Sequence, residues 1–336
     1  MNFSFKRIAC ALASVALAVG IGTASAQERN FKVAMANAAG TAQFDGAVRF
    51  AELLEKKSGG KMKAKLFGSA SLGKDTVVVS SMQGGTIEMG IMNANLLNGL
   101  IAEFGVLDLP FAFGNEKEAY AVLDGPWGTK LANRLAEKGV VSLGWWELGF
   151  LSYHTGPKQI TKADDIAGMK IRVTETPLQI DFQKAMGANP VPLPFPELYG
   201  ALEQKAVDGG TQPPINVQQT KLFEVQKYYA VTKHMYNPQM LLMSKKHFDA
   251  LSDAEKKILM EAANEARNYH RDLSQKKNAE ALEFLKTKMT VVTLPPAELA
   301  KLQEKSKPVI DKYTKQFGEP LVKELYAEIA KARGSK

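Results

Sequence analysis

The chain has 336 residues, with 43 Lys and Arg against 35 Asp and Glu and a formal charge of +8. Its basic residues are spread along the chain with no run of five or more, which argues against a nucleic-acid partner while leaving a bias towards small anions. A single cysteine, Cys10, excludes a disulfide framework, and a chain of this length buries enough core to fold without one.

The first residues combine Lys6 and Arg7, an apolar run from Ile8 to Ile21, and the small-residue site Ala24-Ser25-Ala26. That order predicts a secretory leader over 1–26, cleavage near Gln27 and a periplasmic product. The run is shorter than the ~20 apolar residues a membrane span needs, and Cys10 precedes it, so the usual lipid-attachment arrangement does not apply. Cleavage removes Cys10, Lys6 and Arg7 but no acidic residue, which takes the formal charge from +8 to +6. No later apolar segment approaches spanning length.

After the leader, FKVAMAN (31–37) predicts a strand and FDGAVRFAELLEKKSGG (44–60) an amphipathic helix with Phe50, Leu53 and Leu54 on its apolar side, stopped by Gly59-Gly60. KMKAKLF (61–67) alternates as a strand, DTVVVSSMQGG (75–85) is a helix closed by glycines, and TIEMGIM (86–92) is a third strand. This spacing predicts a parallel α/β sheet. One or two helices follow over 117–139, and VVSLGWWELGF (140–150) returns as a strand.

A second α/β run starts near Gly149, with strands at GMKIRV (168–173) and NPVPLPF (189–195) around the helical PLQIDFQKAMG (177–187). PELYGALEQKAV (196–207) is a helix with Leu198, Leu202 and Ala206 on one face, and VDGGTQPP (207–214) is a turn. MLLMSKKHF (240–248) predicts a strand returning to the first unit, and 253–288 keeps helical spacing as one long helix or two. The expected architecture is therefore α/β with two lobes, whose interlobe cleft is the place for a ligand. Lobe I is assigned to 27–148 with 237–277 returning to it, and lobe II to 149–236 with 278–336 completing it.

Within GMKIRV, side-chain alternation sends Ile171 and Val173 to a core and Arg172 to the opposite face with Lys170 and Thr174. That face is either solvent or something anionic. Enzyme signatures are missing: no Gly-x-Ser-x-Gly elbow, Walker A loop, Gly-x-Gly-x-x-Gly turn or His-Glu-x-x-His helix occurs. His154, His234, His247 and His270 show no i, i+4 pairing, so no metal site is expected. His234 reads as a hydrogen-bonded structural residue and His270 as solvated. An exported chain without nucleophile, base or metal cluster fits binding better than catalysis, and no cofactor is expected.

Several ordered blocks carry a resemblance: SASLGKD (69–75), QGGTIEMGIM (83–92), FGVLDLPFAF (104–113), DDIAGMKIRV (164–173), MGANPVPLPFPELYGALEQKAVDG (186–209) and LFEVQKYYAVTKHMYNPQMLLMSKK (222–246). Over essentially the whole mature chain the sequence resembles the solute-binding proteins of TRAP transporters, the family 7 extracellular solute-binding proteins. The resemblance implies the two-lobe periplasmic binding protein fold, hinge strands between lobes and one long helix spanning both. It implies a receptor that closes on a small organic acid anion and hands it to membrane permease subunits of the transporter; a monomer is expected, although the sequence does not fix the oligomeric state.

It also implies that Arg172 grips the ligand's carboxylate, which a planar guanidinium does with two parallel hydrogen bonds. Asn93 matches a polar ligand position at a strand end, and Phe195 an aromatic that packs on the ligand or else in the core. Gln212 stands where the family usually has asparagine, one methylene shorter. Asn37 and Asn216 complete the expected set, and Trp146 is the candidate for a stacking wall, since one of Trp145 and Trp146 must face the core. Many relatives have Gly-Phe-Arg where this chain has Gly149-Phe150-Leu151. Loss of a second cleft arginine favours one carboxylate, as in a sugar acid, 2-oxo acid or aromatic acid, over a C4-dicarboxylate. A sensor delivering ligand to a signalling receptor is the other binding role.

Overall fold

A computed structural model describes residues 28–334; the expected leader over 1–26 lies outside them. In the first half, β1 (Arg29–Met35), α1 (Ala42–Lys57), β2 (Met62–Phe67), α2 (Asp75–Gly84) and β3 (Met89–Asn93) form the strand–helix alternation expected from the sequence. β1 lies between β2 and β3, parallel to both, with Val33 facing Leu66 and Met89. Thr41 caps α1 by accepting from the Phe44 amide, and Gly85 ends α2 at φ +79°, the left-handed region a glycine enters freely. Two short helices follow, α3 (Glu116–Leu123) and α4 (Pro126–Asn133).

β4 (Val140–Thr155) runs on beyond the predicted 150 and enters the second half, which holds β5 (Lys170–Val173), α5 (Pro177–Ala185), β6 (Asn189–Pro192), α6 (Leu198–Glu203), β7 (Gly209–Gln212) and α7 (Pro214–Gln219). β8 (Tyr228–Ser244) starts twelve residues before the strand predicted at 240 and gives way to α8 (Lys245–Asp249), so 245–248 is helical where strand was expected. The stretch read as a turn at VDGGTQPP contains β7, whose Gly209 and Gly210 carry no side chain to announce a strand but pair with Thr155 and His154 of β4.

All strands join one nine-stranded sheet in the order β2-β1-β3-β8-β4-β7-β5-β6, with β9 (Thr290–Thr293) pairing alongside the start of β8. The sheet is mixed where the spacing predicted a parallel one, because β4 and β8 run antiparallel to each other, to β7 and to β3 respectively. These two strands alone traverse both halves. Their register slips at three places, between Ser142 and Gly144, between Glu147 and Gly149, and between Leu151 and Tyr153; at the middle one Gly149 takes φ +115° opposite Asn237.

Helices cover both faces of the sheet. α9 (Asp253–Lys286) is a single helix of 34 residues, begun by a Ser252/Glu255 capping box and uninterrupted by glycine or proline. α10 (Pro296–Phe317) is tied to the second half by Lys305–Asp164 (2.6 Å) and Tyr313–Asp181 (2.9 Å). α11 (Glu319–Gly334), in the stretch assigned to lobe II, instead turns back onto α3 and α4 through Arg333–Glu118 (3.1 Å) and the Trp127 indole donating to the Leu321 carbonyl. Gly318, at φ +98°, separates the two helices.

Candidate ligand-binding cleft

The two halves meet across a cleft reached by the carboxyl ends of β1, β3 and β5, the end of a sheet where α/β folds place ligands. They touch through the Ala42 amide donating to Gln219 Oε1 (3.1 Å) and the Lys74–Glu175 pair (3.4 Å), so this is a closed arrangement. Of the residues singled out in the sequence, Asn37, Asn93, Arg172, Phe195, Gln212 and Asn216 line this one space.

Arg172 is 3% exposed, between Ile171 and Val173 that pack in the core. Across the sheet it aligns with Gly210 and then His154, and a Cβ on Gly210 would stand 3.0 Å from His154 Nε2. The glycine leaves that face open for imidazole and guanidinium side by side. Arg172 Nε and Nη2 both donate to the Leu193 carbonyl, at 2.9 and 2.6 Å, which fixes the side edge of the guanidinium. Its end edge, Nη1 with the second Nη2 hydrogen, engages no acceptor among the described residues and is the pair of donors a carboxylate takes. Burial pulls the guanidinium down to about 10, with Glu175, Asp75 and Glu197 opposing, so it stays cationic at neutral pH.

The surrounding amides are arranged by one another. Asn93 Oδ1 accepts from Gln239 Nε2 (3.0 Å), and Gln212 Oε1 accepts from Asn216 Nδ2 (3.1 Å). Gln43 Oε1 and Gln239 Oε1 are buried without a partner and belong to residues lining the cleft. Asp75, partly exposed at the start of α2, lines it too, and desolvation raises its carboxyl to about 6, with Arg172 lowering it and Glu175 raising it. Lys74 is the other cation on the wall, but Glu175 holds it.

Asp75, Gln43 and Gln239 escaped the sequence reading. Asp75 closes the SASLGKD block, and an acid in the first turn of a helix reads as a dipole partner before it reads as a ligand contact. Gln43 sits just inside the first turn of α1, where a polar residue needs no special explanation.

Trp146 does not reach the cleft. It is fully buried in the first-half core with Phe50, Leu143 and Ala263, its ring stacked on His270 at 4.6 Å. Trp145 enters the other core and stacks on Phe104 at 6.1 Å. Both faces of the sheet are covered, so alternation buries both tryptophans, and β4 presents Leu148 to the cleft. Leu151, read as replacing a second cleft arginine, packs in the core and does not line the space.

His270 is buried beneath Trp146, and desolvation depresses its imidazole to about 3, so the expected solvated side chain is corrected. The tight α1–α9 contact explains it: a Cβ on Gly46 would come within 2.7 Å of Trp146 and 2.8 Å of His270. His234 is buried and within 2.8 Å of Thr232 Oγ1, with its ring stacked between Tyr153 and Phe182. Among the described residues no group of three or more His, Cys, Asp and Glu gathers to hold a metal, and no helix is long and apolar enough to cross a membrane.

Residues 33–316 match the family described as bacterial extracellular solute-binding protein, family 7. The crystal structure of the sugar acid binding protein DctPAm from Advenella mimigardefordensis, in complex with galactonate, superposes with a TM-score of 0.89 at 37% identity, covering 91% of this chain and 99% of that one. A TRAP periplasmic solute-binding protein from Ochrobactrum anthropi gives a TM-score of 0.84 at 44% identity, covering 93% and 98%. The 2,3-diketo-L-gulonate-binding periplasmic protein YiaO of Escherichia coli is 35% identical over 244 residues, 73% of this chain and 74% of that protein.

Proposed function

Because the chain belongs to the family 7 bacterial extracellular solute-binding proteins, which serve TRAP transporters, we propose that it is the periplasmic receptor for a sugar acid: one carboxylate on a hydroxylated body. The observation that carries this reading is the division of the cleft. One guanidinium edge is free for one carboxylate, while Asp75, Gln43 Oε1 and Gln239 Oε1 offer acceptors that only a ligand with donors satisfies. A buried acceptor left unmet costs about 1–3 kcal/mol, so hydroxyl groups gain there what a bare hydrocarbon loses. Two of the similar proteins named above are described by sugar acids, galactonate and 2,3-diketo-L-gulonate.

A C4-dicarboxylate fits less well. Its second charge would meet the Asp75 carboxylate, and the one further cation of the wall, Lys74, is paired with Glu175. Closure follows from differential affinity: the ligand bridges both halves only when they are shut, and so favours that state. The closed complex then delivers the ligand to the membrane permease subunits, and the role is capture and release rather than chemistry.

A calorimetric and thermal-shift panel tests this, with galactonate and other aldonates, uronates, succinate, malate, pyruvate and benzoate. A ligand at 100 times its Kd stabilises by about 2.7 kcal/mol. Aldonates or uronates are expected to bind tightest; preference for succinate or malate, or silence of every acid on the panel, overturns the reading.

A further inference from the structure

Away from the cleft, a second polar cluster lies where the two traversing strands change partners. Glu147 sits on β4 opposite Pro238 of β8, at the register slip, and is 2% exposed. Pro238 has no amide hydrogen, so β4 loses a cross-strand donor at that rung. Both Glu147 carboxylate oxygens lack a hydrogen-bond partner, as do both polar atoms of the Asn237 side chain, the Tyr236 hydroxyl and Arg271 Nε. A buried carboxylate without a partner is among the costliest groups a fold can hold ionised, and proteins avoid that cost by keeping it protonated.

The charged groups around Glu147 do not relieve it. Arg271, from α9, is committed to Asp124 at 2.6 and 2.9 Å and to the Trp145 carbonyl at 2.7 Å. Lys233, on β8, lies 5.4 Å from the Phe150 ring centroid and 4.0 Å from Glu116. Glu116, at the start of α3, adds a like charge, and the remaining titratable neighbour, Tyr236, is a buried phenol. Gly149, two residues on, is the bulge glycine, and a Cβ there would come within 3.2 Å of Asn278 on α9. Strand, strand and long helix therefore come close together beside Glu147, and this slip, the middle one of three along the β4–β8 pair, is a place where the two strands can bend as the angle between the halves changes.

We propose that Glu147 is a proton-coupled hinge residue: its carboxyl is protonated while the halves are closed and releases that proton to water when β4 and β8 unbend and solvent reaches it. Closure thus takes up a proton from bulk solvent at this residue. The environment in the closed form raises the carboxyl to about 8, chiefly by desolvation, with Glu116 adding and Arg271 and Lys233 opposing. A solvated glutamate has a pKa near 4.3, so the closed form gains from its proton below that value and loses the advantage as pH rises, levelling off above about 8.

The test needs no ligand, so its outcome is independent of the sugar-acid reading. Cys10, the only cysteine, lies in the expected leader, so exposed Ser80 on α2 and Gln204 beside α6 can be changed to cysteine and spin-labelled, one on each side of the cleft. In the unliganded receptor the closed-to-open ratio is expected to fall at least tenfold between pH 6 and pH 8 and to level above about 8, whereas in E147Q it changes by no more than about twofold over that window. Any step from Asp75, centred near 6 and below, persists in E147Q. A wild-type ratio that does not change between pH 6 and pH 8, or an equal slope in E147Q, overturns the proposal. Infrared pH-difference spectra of the unsubstituted protein serve where E147Q does not fold or one state dominates. A protonated carboxyl band at pH 7 that bleaches towards pH 9 supports the assignment, and a carboxylate already ionised at pH 7 overturns it.

Discussion

The second-half wall of the cleft carries one anchored cation, Arg172, its side edge fixed by the Leu193 carbonyl and its end edge turned to the ligand space. The first-half wall carries a carboxylate and amides, Asp75, Gln43, Asn93 and Gln239, with acceptors still unmet. On the proposed reading, the unpaired guanidinium edge holds the ligand's charge from one side and the unmet acceptors favour its hydroxyl groups from the other. That reading puts affinity and selectivity on opposite halves, and it predicts that they separate under mutation.

The largest effect should come from the anchoring wall. Arg172→Lys removes the planar pair of donors and should weaken sugar-acid binding by tenfold or more, since a charged hydrogen bond contributes about 1.5–3 kcal/mol. Calorimetry with unchanged affinity would put the selectivity and the grip on the same wall. Next, Asp75→Asn should weaken hydroxylated acids several-fold while improving succinate, narrowing the ratio between them. In the E147Q background, where the hinge carboxyl no longer titrates, affinity for the hydroxylated ligand should fall as pH drops through about 6, because the raised Asp75 carboxyl is an acceptor only when ionised, and adding Asp75→Asn should remove that step. The smallest change is expected for Gln43→Leu, about 0.5–1.5 kcal/mol on ligands with a hydroxyl to donate and none on a bare 2-oxo acid. Equal losses for both ligands would mean that Gln43 acts by packing alone.

How far the sequence reached follows the same physics. A strand announces itself through β-branched alternation, so KIRV was readable and placed Arg172 opposite Ile171 and Val173. β7 has two glycines and no such pattern, and only its pairing with β4 and β5 makes it a strand. Trp146 was misplaced because alternation distinguishes two faces but not whether each is covered, and here both are. His270 misled for a related reason: α9 buries a narrow stripe of four alanines, two leucines, Ser274, one imidazole and Arg271, and a largely polar helix with so small an apolar stripe looks solvated around its middle. Asp75 and Gln43 become ligand-facing only when closure brings two helix starts against the opposite wall, a long-range event no local pattern encodes.

The back of the molecule has its own mechanical consequence. α10 is fastened to the second half at Asp164 and Asp181, α11 to the first at Glu118 and Trp127, and Gly318 is the lone residue between them at φ +98°. Two helices joined at one knuckle thus link the halves by a second route, through residues that do not line the cleft. A bulkier residue at that positive-φ position is expected to strain this link, and a change in ligand affinity on such a substitution would trace to the hinge side of the fold rather than to the atoms around the ligand space.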